Sequence, residues 1–318
     1  MPVAAVEGAV IWGTTLFLLH KLPYHPAFTS HFPILMRISD YLKAWPLYVL
    51  PHHALSRVIF RLTRIQSPWV QPAIRRFVQA FKVNMAEAEQ PDIAAYPSFN
   101  AFFTRALRPG LRSWAAGGKV LASPVDGTIS QFGLIRDGRI FQAKGHEYSA
   151  LELLGGDAER AAPFLNGQFM TIYLSPRDYH RIHMPLDGAL REQVYVPGRL
   201  FSVAGHTART VPRLFARNER VVALFDTELG KMALVLVGAI NVAAIETVWG
   251  GLVTPPNGNR VSQTAYSGVR LQKGEEMGRF NMGSTVIVLL ENPALRWDGR
   301  CAPELPVRLG ELLATLPE

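Results

Sequence analysis

Apolar residues return at helical spacing in two neighbouring stretches early in the chain. In residues 54–65 (ALSRVIFRLTRI), Leu55, Val58, Ile59, Leu62 and Ile65 fall on one helical face, and Arg57, Arg61 and Arg64 fall on another, which predicts an amphipathic helix. Residues 73–83 (AIRRFVQAFKV) repeat the basic theme with Arg75, Arg76 and Lys82. A helix with an arginine face suits a bilayer interface, although a core-packing helix with a solvated face has the same period. Two such elements in succession favour the membrane. After Pro91 the pattern changes to short runs rich in valine and isoleucine. Residues 194–203, 221–225, 233–237, 243–248 and 286–290 are predicted strands, separated by Gly, Pro and Asn. No regular alternation with long helices is present, which argues against a doubly wound parallel sheet. The expected fold class is α+β: a helical, membrane-associating N-terminal part followed by a mainly antiparallel β domain.

Composition narrows the partners. A chain of 318 residues, 48% hydrophobic and 18% charged, can bury a full core and is not disordered. The single Cys301 excludes an internal disulfide framework and suits a reducing compartment. Lys and Arg outnumber Asp and Glu by 33 to 25, for a net charge of +8, so a polyanionic surface is the natural partner. Zinc-finger spacing, the glycine and aromatic pattern of an RNA-binding sheet and a lysine-rich tail are all missing, which points away from nucleic acid and towards anionic lipid. Residues 8–19 (GAVIWGTTLFLL) are mostly apolar but shorter than the ~20 residues a membrane-crossing helix needs. Glu7 before them and His20, Lys21 and Pro23 after them do not suit a secretory signal. A short buried or surface-lying helix is the expectation there.

Four segments carry reactive side chains: Ser123-Pro124-Val125-Asp126-Gly127, residues 173–185 (YLSPRDYHRIHMP), Glu246-Thr247-Val248-Trp249-Gly250, and Met282-Gly283-Ser284-Thr285. Glycine before serine leaves the Gly283 carbonyl uncrowded and puts the Ser284 hydroxyl within reach of it, as a self-cleaving bond requires, though Gly-Ser also serves ordinary turns. If folding brings them together, Asp126, His183 and Ser284 form a relay in which a carboxylate orients an imidazole that deprotonates a hydroxyl. Taken singly, Asp126 before glycine is a common turn residue, and His180 with His183 can hydrogen-bond a loop. Pro176 and Pro185 argue against one helix presenting both histidines, so no metal site is expected. The run GRFNMGST has the glycine spacing of a phosphate-binding loop, but Ser284 stands where that motif needs lysine. No G-x-S-x-G elbow surrounds Ser284.

Taken together, YVLP, FKVNMAEAEQPD, FNAFFTRALRPG, SPVDGTISQFG, YLSPRDYHRIHMP, VGAINVAAIETVWGG and KGEEMGRFNMGST resemble the bacterial phosphatidylserine decarboxylase family, in the same order and from about Leu47 to Leu290. That family usually has leucine where this chain has Met282, a volume-conserving change. Residues 1–45 precede the matching part and are read from their composition as an apolar N-terminal extension whose membrane association stays open; residues 46–100 are expected to be an amphipathic helical, membrane-facing region and residues 101–318 the catalytic domain. The resemblance implies that His183 takes the Ser284 proton while Asp126 holds the ring, and that Ser284 attacks the Gly283 carbonyl. The resulting ester eliminates to dehydroalanine, which hydrolyses with loss of ammonia. Chains 1–283 and 284–318 result, the second headed by a covalent pyruvoyl group made from Ser284. That group is expected to form a Schiff base with phosphatidylserine and to give phosphatidylethanolamine and carbon dioxide. His180 is the expected proton donor, with His183 as the alternative. Association of the two cleaved chains, a homodimer, and a peripheral place on the cytoplasmic side of the cell membrane complete the implied picture. Two other readings remain: a lipid-directed serine hydrolase using Asp126, His183 and an intact Ser284, and a non-catalytic binding module, since SPVDGTISQ is similar to turn-rich segments of carrier domains.

Overall fold

Residues 39–240, 244–254, 259–282 and 285–317 are described by the computed structural model. The expectations placed on residues 1–38, on Ala243, and on the Gly283 and Ser284 pair itself lie outside the described residues. Contacts divide the chain into Met1–Asp40 and Tyr41–Glu318, and all that follows belongs to the second unit.

The N-terminal part is helical, with α1 (His52–Leu62), α2 (Val70–Phe81) and the short α3 (Phe99–Phe103). Of the residues in α1 only His52 and Ser56 are buried. Its apolar stripe faces outward, with Val58 51%, Leu62 58% and the following Ile65 49% exposed. Among the described residues these three are not packed into the core, while Leu55 and Ile59 of the same stripe are half-buried. By contrast, α2 buries Val70 and Ile74 in a small aromatic cluster with Tyr96, Phe102 and Phe103. Phe77 meets Phe99 edge-on at 5.1 Å, the arrangement that opposed ring quadrupoles favour. Lys82 ends α2 in the left-handed conformation, φ 54°. The Ser98 hydroxyl caps α3 by accepting from the Ala101 N–H at 3.1 Å.

Beyond this region the chain builds antiparallel sheets from β1 (Gly127–Leu134), β2 (Gln168–Tyr173), β3 (Arg181–His183), β4 (Gly188–Val196), β5 (Arg220–Thr227), β6 (Gly230–Val237), β7 (Ile245–Thr247), β8 (Glu276–Phe280) and β9 (Thr285–Leu290). In the largest sheet the order is Ser262–Ala265, β4, β5, β6, β9, β2, β1 and Pro306–Val307, with Arg270–Leu271 also on β4. The runs Met232 to Val237 and Val286 to Leu290 are apolar without a break and fully buried. Such runs have no face to offer water, so they take the middle of the sheet. There, Ile287 lies opposite Val235 on one side and Thr171 on the other. A smaller sheet runs Gly251–Leu252, β7, β8, β3.

The predicted strands at 221–225, 233–237 and 286–290 are present, each slightly longer, and that at 243–248 is seen as Ile245–Thr247. The strand expected over 194–203 stops at Val196. Pro197 has no N–H for the ladder, and the Asn218 side chain takes over, accepting from Phe201 N–H at 3.1 Å and donating to its carbonyl at 2.9 Å. The His183 side of the histidine segment forms β3 rather than a loop, edge-paired to β8.

Candidate active site

The bond between Gly283 and Ser284 joins β8 to β9, the smaller sheet to the largest. On one side Thr285 is fixed between Tyr173 and Val237. On the other, Asn281 is 1% exposed and Met282 packs on the aromatic cluster of α2 and α3. Met282 has φ 154°, a backbone region that a side chain disfavours.

His180 sits beside this connection, because its carbonyl accepts the Phe280 N–H at 3.0 Å. Its ring is fully buried, 4.2 Å from that of Phe103. Nδ1 donates to the Asp178 carbonyl at 2.8 Å, which leaves Nε2 with the lone pair. Nε2 is buried and has no hydrogen-bond partner among the described residues. Burial in apolar surroundings pulls the His180 pKa down to about 3, so the ring is neutral at physiological pH. The Thr285 hydroxyl is likewise buried without a partner among the described residues.

His183 ends β3, and its N–H donates to the Pro124 carbonyl at 2.9 Å, beside the Asp126 turn. Gly127 makes that turn possible: strands β1 and β2 approach so closely that a Cβ there would stand 2.6 Å from the Tyr173 carbonyl. The expected hydrogen bond from His183 to Asp126 is not made. His183 Nδ1 instead donates to the Gly274 carbonyl at 2.7 Å, and Nε2 accepts from the Tyr179 hydroxyl at 3.0 Å. Burial lowers the His183 pKa and raises that of Tyr179, which keeps the phenol protonated and able to donate. Asp126 is taken by a stronger partner. Its Oδ1 accepts from Arg112 Nε at 3.1 Å and from Leu309 N–H at 2.8 Å, and its Oδ2 from Arg112 Nη2 at 2.6 Å. A bidentate guanidinium outcompetes a neutral imidazole for a carboxylate. The tautomer-holding role expected of Asp126 thus falls to the Gly274 carbonyl, while the Asp126 charge still favours an imidazolium at His183 through space.

A cavity of about 310 Å³ opens beside Asp126 and Tyr179. Lys82, Arg105, Arg112, Arg177 and Arg308 outnumber Glu87, Asp126 and Asp178 on its walls. Arg105 is 6% exposed, and its Nε and Nη1 have no hydrogen-bond partner among the described residues. Among the described residues, no three His, Cys, Asp or Glu side chains are grouped to hold a metal ion.

A family model for phosphatidylserine decarboxylase matches residues 99–315, and a second, described as PSD, matches residues 42–82. The chain is 57% identical over 281 residues to a phosphatidylserine decarboxylase proenzyme of Stutzerimonas stutzeri, covering 87% of this chain and 95% of that one. It is 55% identical over 284 residues to the proenzyme of Pseudomonas aeruginosa (88% and 98%), and 50% identical over 289 residues to that of Idiomarina loihiensis (89% and 99%). The chain belongs to the phosphatidylserine decarboxylase family. The serine hydrolase reading finds no support beside these relatives.

For a member of the phosphatidylserine decarboxylase family, several residues matter here that motif reading passed over. Tyr179 lies inside the histidine segment and Arg112 just past FNAFFTRALRPG, but only the fold puts them against His183 and Asp126. Asn281 and Asn100 are 181 positions apart, yet they share a 3.0 Å hydrogen bond. Nothing in a single sequence pairs them.

Proposed function

We propose that this chain is a self-cleaving phosphatidylserine decarboxylase, which severs its own backbone between Gly283 and Ser284 and then converts phosphatidylserine to phosphatidylethanolamine. The observation that carries this reading is its likeness, over almost their whole length, to relatives named as proenzymes of that activity. Ser284 would attack the Gly283 carbonyl. His183 is the base for that step, its ring fixed by Gly274 with Nε2 as the accepting atom. The Tyr179 hydroxyl on Nε2 must turn aside or pass the proton on. Asp126, anchored by Arg112, stabilises the imidazolium as a fixed charge.

A pyruvoyl group made from Ser284 would supply an electron-poor carbonyl that takes the electron pair released with carbon dioxide. The residues fit such a group: among the described residues His180 Nε2 and Thr285 Oγ1 are buried polar atoms without partners, Thr285 following residue 284 directly and His180 being paired through its carbonyl to Phe280, four residues before that position. At neutral pH His180 carries no proton on Nε2 to give. An anionic substrate carboxylate arriving beside it raises its pKa, so binding itself would load the donor. The cationic cavity at Arg105, Lys82 and Arg177 suits the phosphodiester of the headgroup. After cleavage the two pieces would stay joined, because β9 lies between β2 and β6 along its whole length.

Membrane docking through α1 and α2 belongs to the same proposal. Trp45 is 68% and Trp69 80% exposed, and with Val58, Leu62 and Ile65 they share this region with exposed Arg57, Arg61, Arg75 and Arg76. Indole rings, aliphatic groups and arginines together suit an anionic bilayer interface. No helix among the described residues is long and apolar enough to cross a membrane; a peripheral place on the cytoplasmic face of the membrane belongs to this proposal. Incubation with phosphatidylserine in mixed vesicles tests the reading: release of carbon dioxide from the serine carboxylate supports it, and a protein that leaves the lipid unchanged refutes it.

A further inference from the structure

The described residues on either side of the bond to be cut are anchored in different ways. On its C-terminal side the anchor is the central strand β9. On its N-terminal side it is the buried Asn281. The Asn281 backbone N–H donates to the Ala244 carbonyl at 2.8 Å, its Nδ2 donates to Glu246 Oε1 at 3.1 Å, and its Oδ1 accepts from Asn100 Nδ2 at 3.0 Å. These partners are themselves held. The Asn100 N–H donates to the Thr63 carbonyl at 2.8 Å, and Glu246 pairs with Arg279 at 3.0 Å. Met282, next after this grip, carries the strained φ of 154°.

We infer that Asn281, gripped by Asn100 and Glu246, is a positioning residue for self-cleavage that holds Met282 in its strained conformation and so loads the bond that follows. The inference rests on the self-cleavage reading above. In the first step a bond forms between Ser284 Oγ and the Gly283 carbonyl carbon, the bond from that carbon to the Ser284 nitrogen breaks, and the hydroxyl proton ends on that nitrogen. No oxidant or further reactant is needed. A backbone held out of its preferred conformation relaxes when that bond opens, so strain at Met282 favours the forward direction. A residue that merely plugged the end of β8 would not need a side chain with both its donor and its acceptor engaged. The grip also connects α1, through Thr63 and Asn100, to the chemistry.

The test follows cleavage of freshly translated full-length chains on denaturing gels across pH, with melting temperature measured beside it. Asn281→Asp places a second carboxylate against Glu246 in place of the amide donor. Cleavage should slow by about tenfold or more at neutral pH, as the loss of a buried hydrogen bond and the new repulsion imply. As pH falls and one of the two carboxyls takes up a proton, the hydrogen bond returns and the deficit relative to the parent shrinks. Arg279, Arg64 at 4.0 Å from Glu246, and Glu276, which shares Arg279 at 3.8 Å, set where that happens. The parent should show the opposite slope, since its imidazole base is lost in acid. Asn100→Ala should slow cleavage without lowering the melting temperature in proportion. Met282→Gly, which accepts the φ without strain, should cleave more slowly. If the parent cleaves and Asn281→Asp matches it at every pH, or lags by one constant factor at every pH, the inference is wrong and the self-cleavage reading stands. A parent that never cleaves overturns both.

Discussion

Helix α1 and strand β9 are built from similar apolar residues and meet opposite fates. In β9 every side chain from Val286 to Leu290 is fully buried, whereas Val58 and Leu62 of α1 are more than half exposed. The helix does not lack a partner, for it docks through its polar groups. His53 Nε2 bonds the Gly198 carbonyl at 2.8 Å, and the Leu200 N–H donates to His52 Nδ1 at 3.3 Å. Just before the helix, Arg199 Nη2 donates to the Tyr48 carbonyl at 2.9 Å. Among the described residues, holding the helix by its polar side leaves Val58 and Leu62 uncovered, and it is this side, with the arginines beside it, that the proposed docking to an anionic bilayer uses.

Breaking the sheet end of the comparison should have the larger consequences. Ser284→Ala removes the nucleophile, so the chain should remain whole and decarboxylate nothing, as gel and activity assays would reveal. His180→Ala should leave cleavage intact and reduce decarboxylation by about 10²–10⁴-fold, the usual worth of a proton-transfer group; parent-like turnover would show that the proton comes from elsewhere. Ile287→Ala opens a cavity in the centre of the sheet and should cost about 2–5 kcal/mol in urea unfolding.

Acid supplies a fourth test, and its sign follows from burial. His180 and His52 are pulled down to about 3 and about 4 from the ordinary 6.5, so below pH 6.5 the unfolded chain binds protons that the native state refuses. Stability should therefore fall as pH drops through this window, by about 2 kcal/mol for each group by roughly pH 5. A flat urea midpoint from pH 7 to 5 would contradict both assignments. The smallest effect should come from α1: Leu62→Ser should change stability by no more than about 0.5 kcal/mol yet weaken binding to anionic vesicles. Undiminished vesicle binding would place the docking surface elsewhere.

How far the sequence carries depends on whether the deciding contacts are local. The runs at 233–237 and 286–290 have no polar face, and burial in the middle of a sheet was legible from that alone. The period of α1 gave its helix and its two faces, but not which face the protein would cover, because that depends on His52 and His53 meeting Gly198 and Leu200 some 145 residues later. At the site, the histidine segment and the Asp126 turn were visible as motifs, and the fold places them side by side. Their hydrogen bonding was not legible. It turns on Arg112 reaching Asp126 first and on the Gly274 carbonyl lying under His183. Spacing along a chain encodes neither.

The most direct test is the intact mass of freshly purified protein under denaturing, reducing conditions. The account predicts two species divided after Gly283, the one beginning at position 284 lighter than its unmodified sequence by one ammonia. A single species with the mass of the whole chain would contradict it.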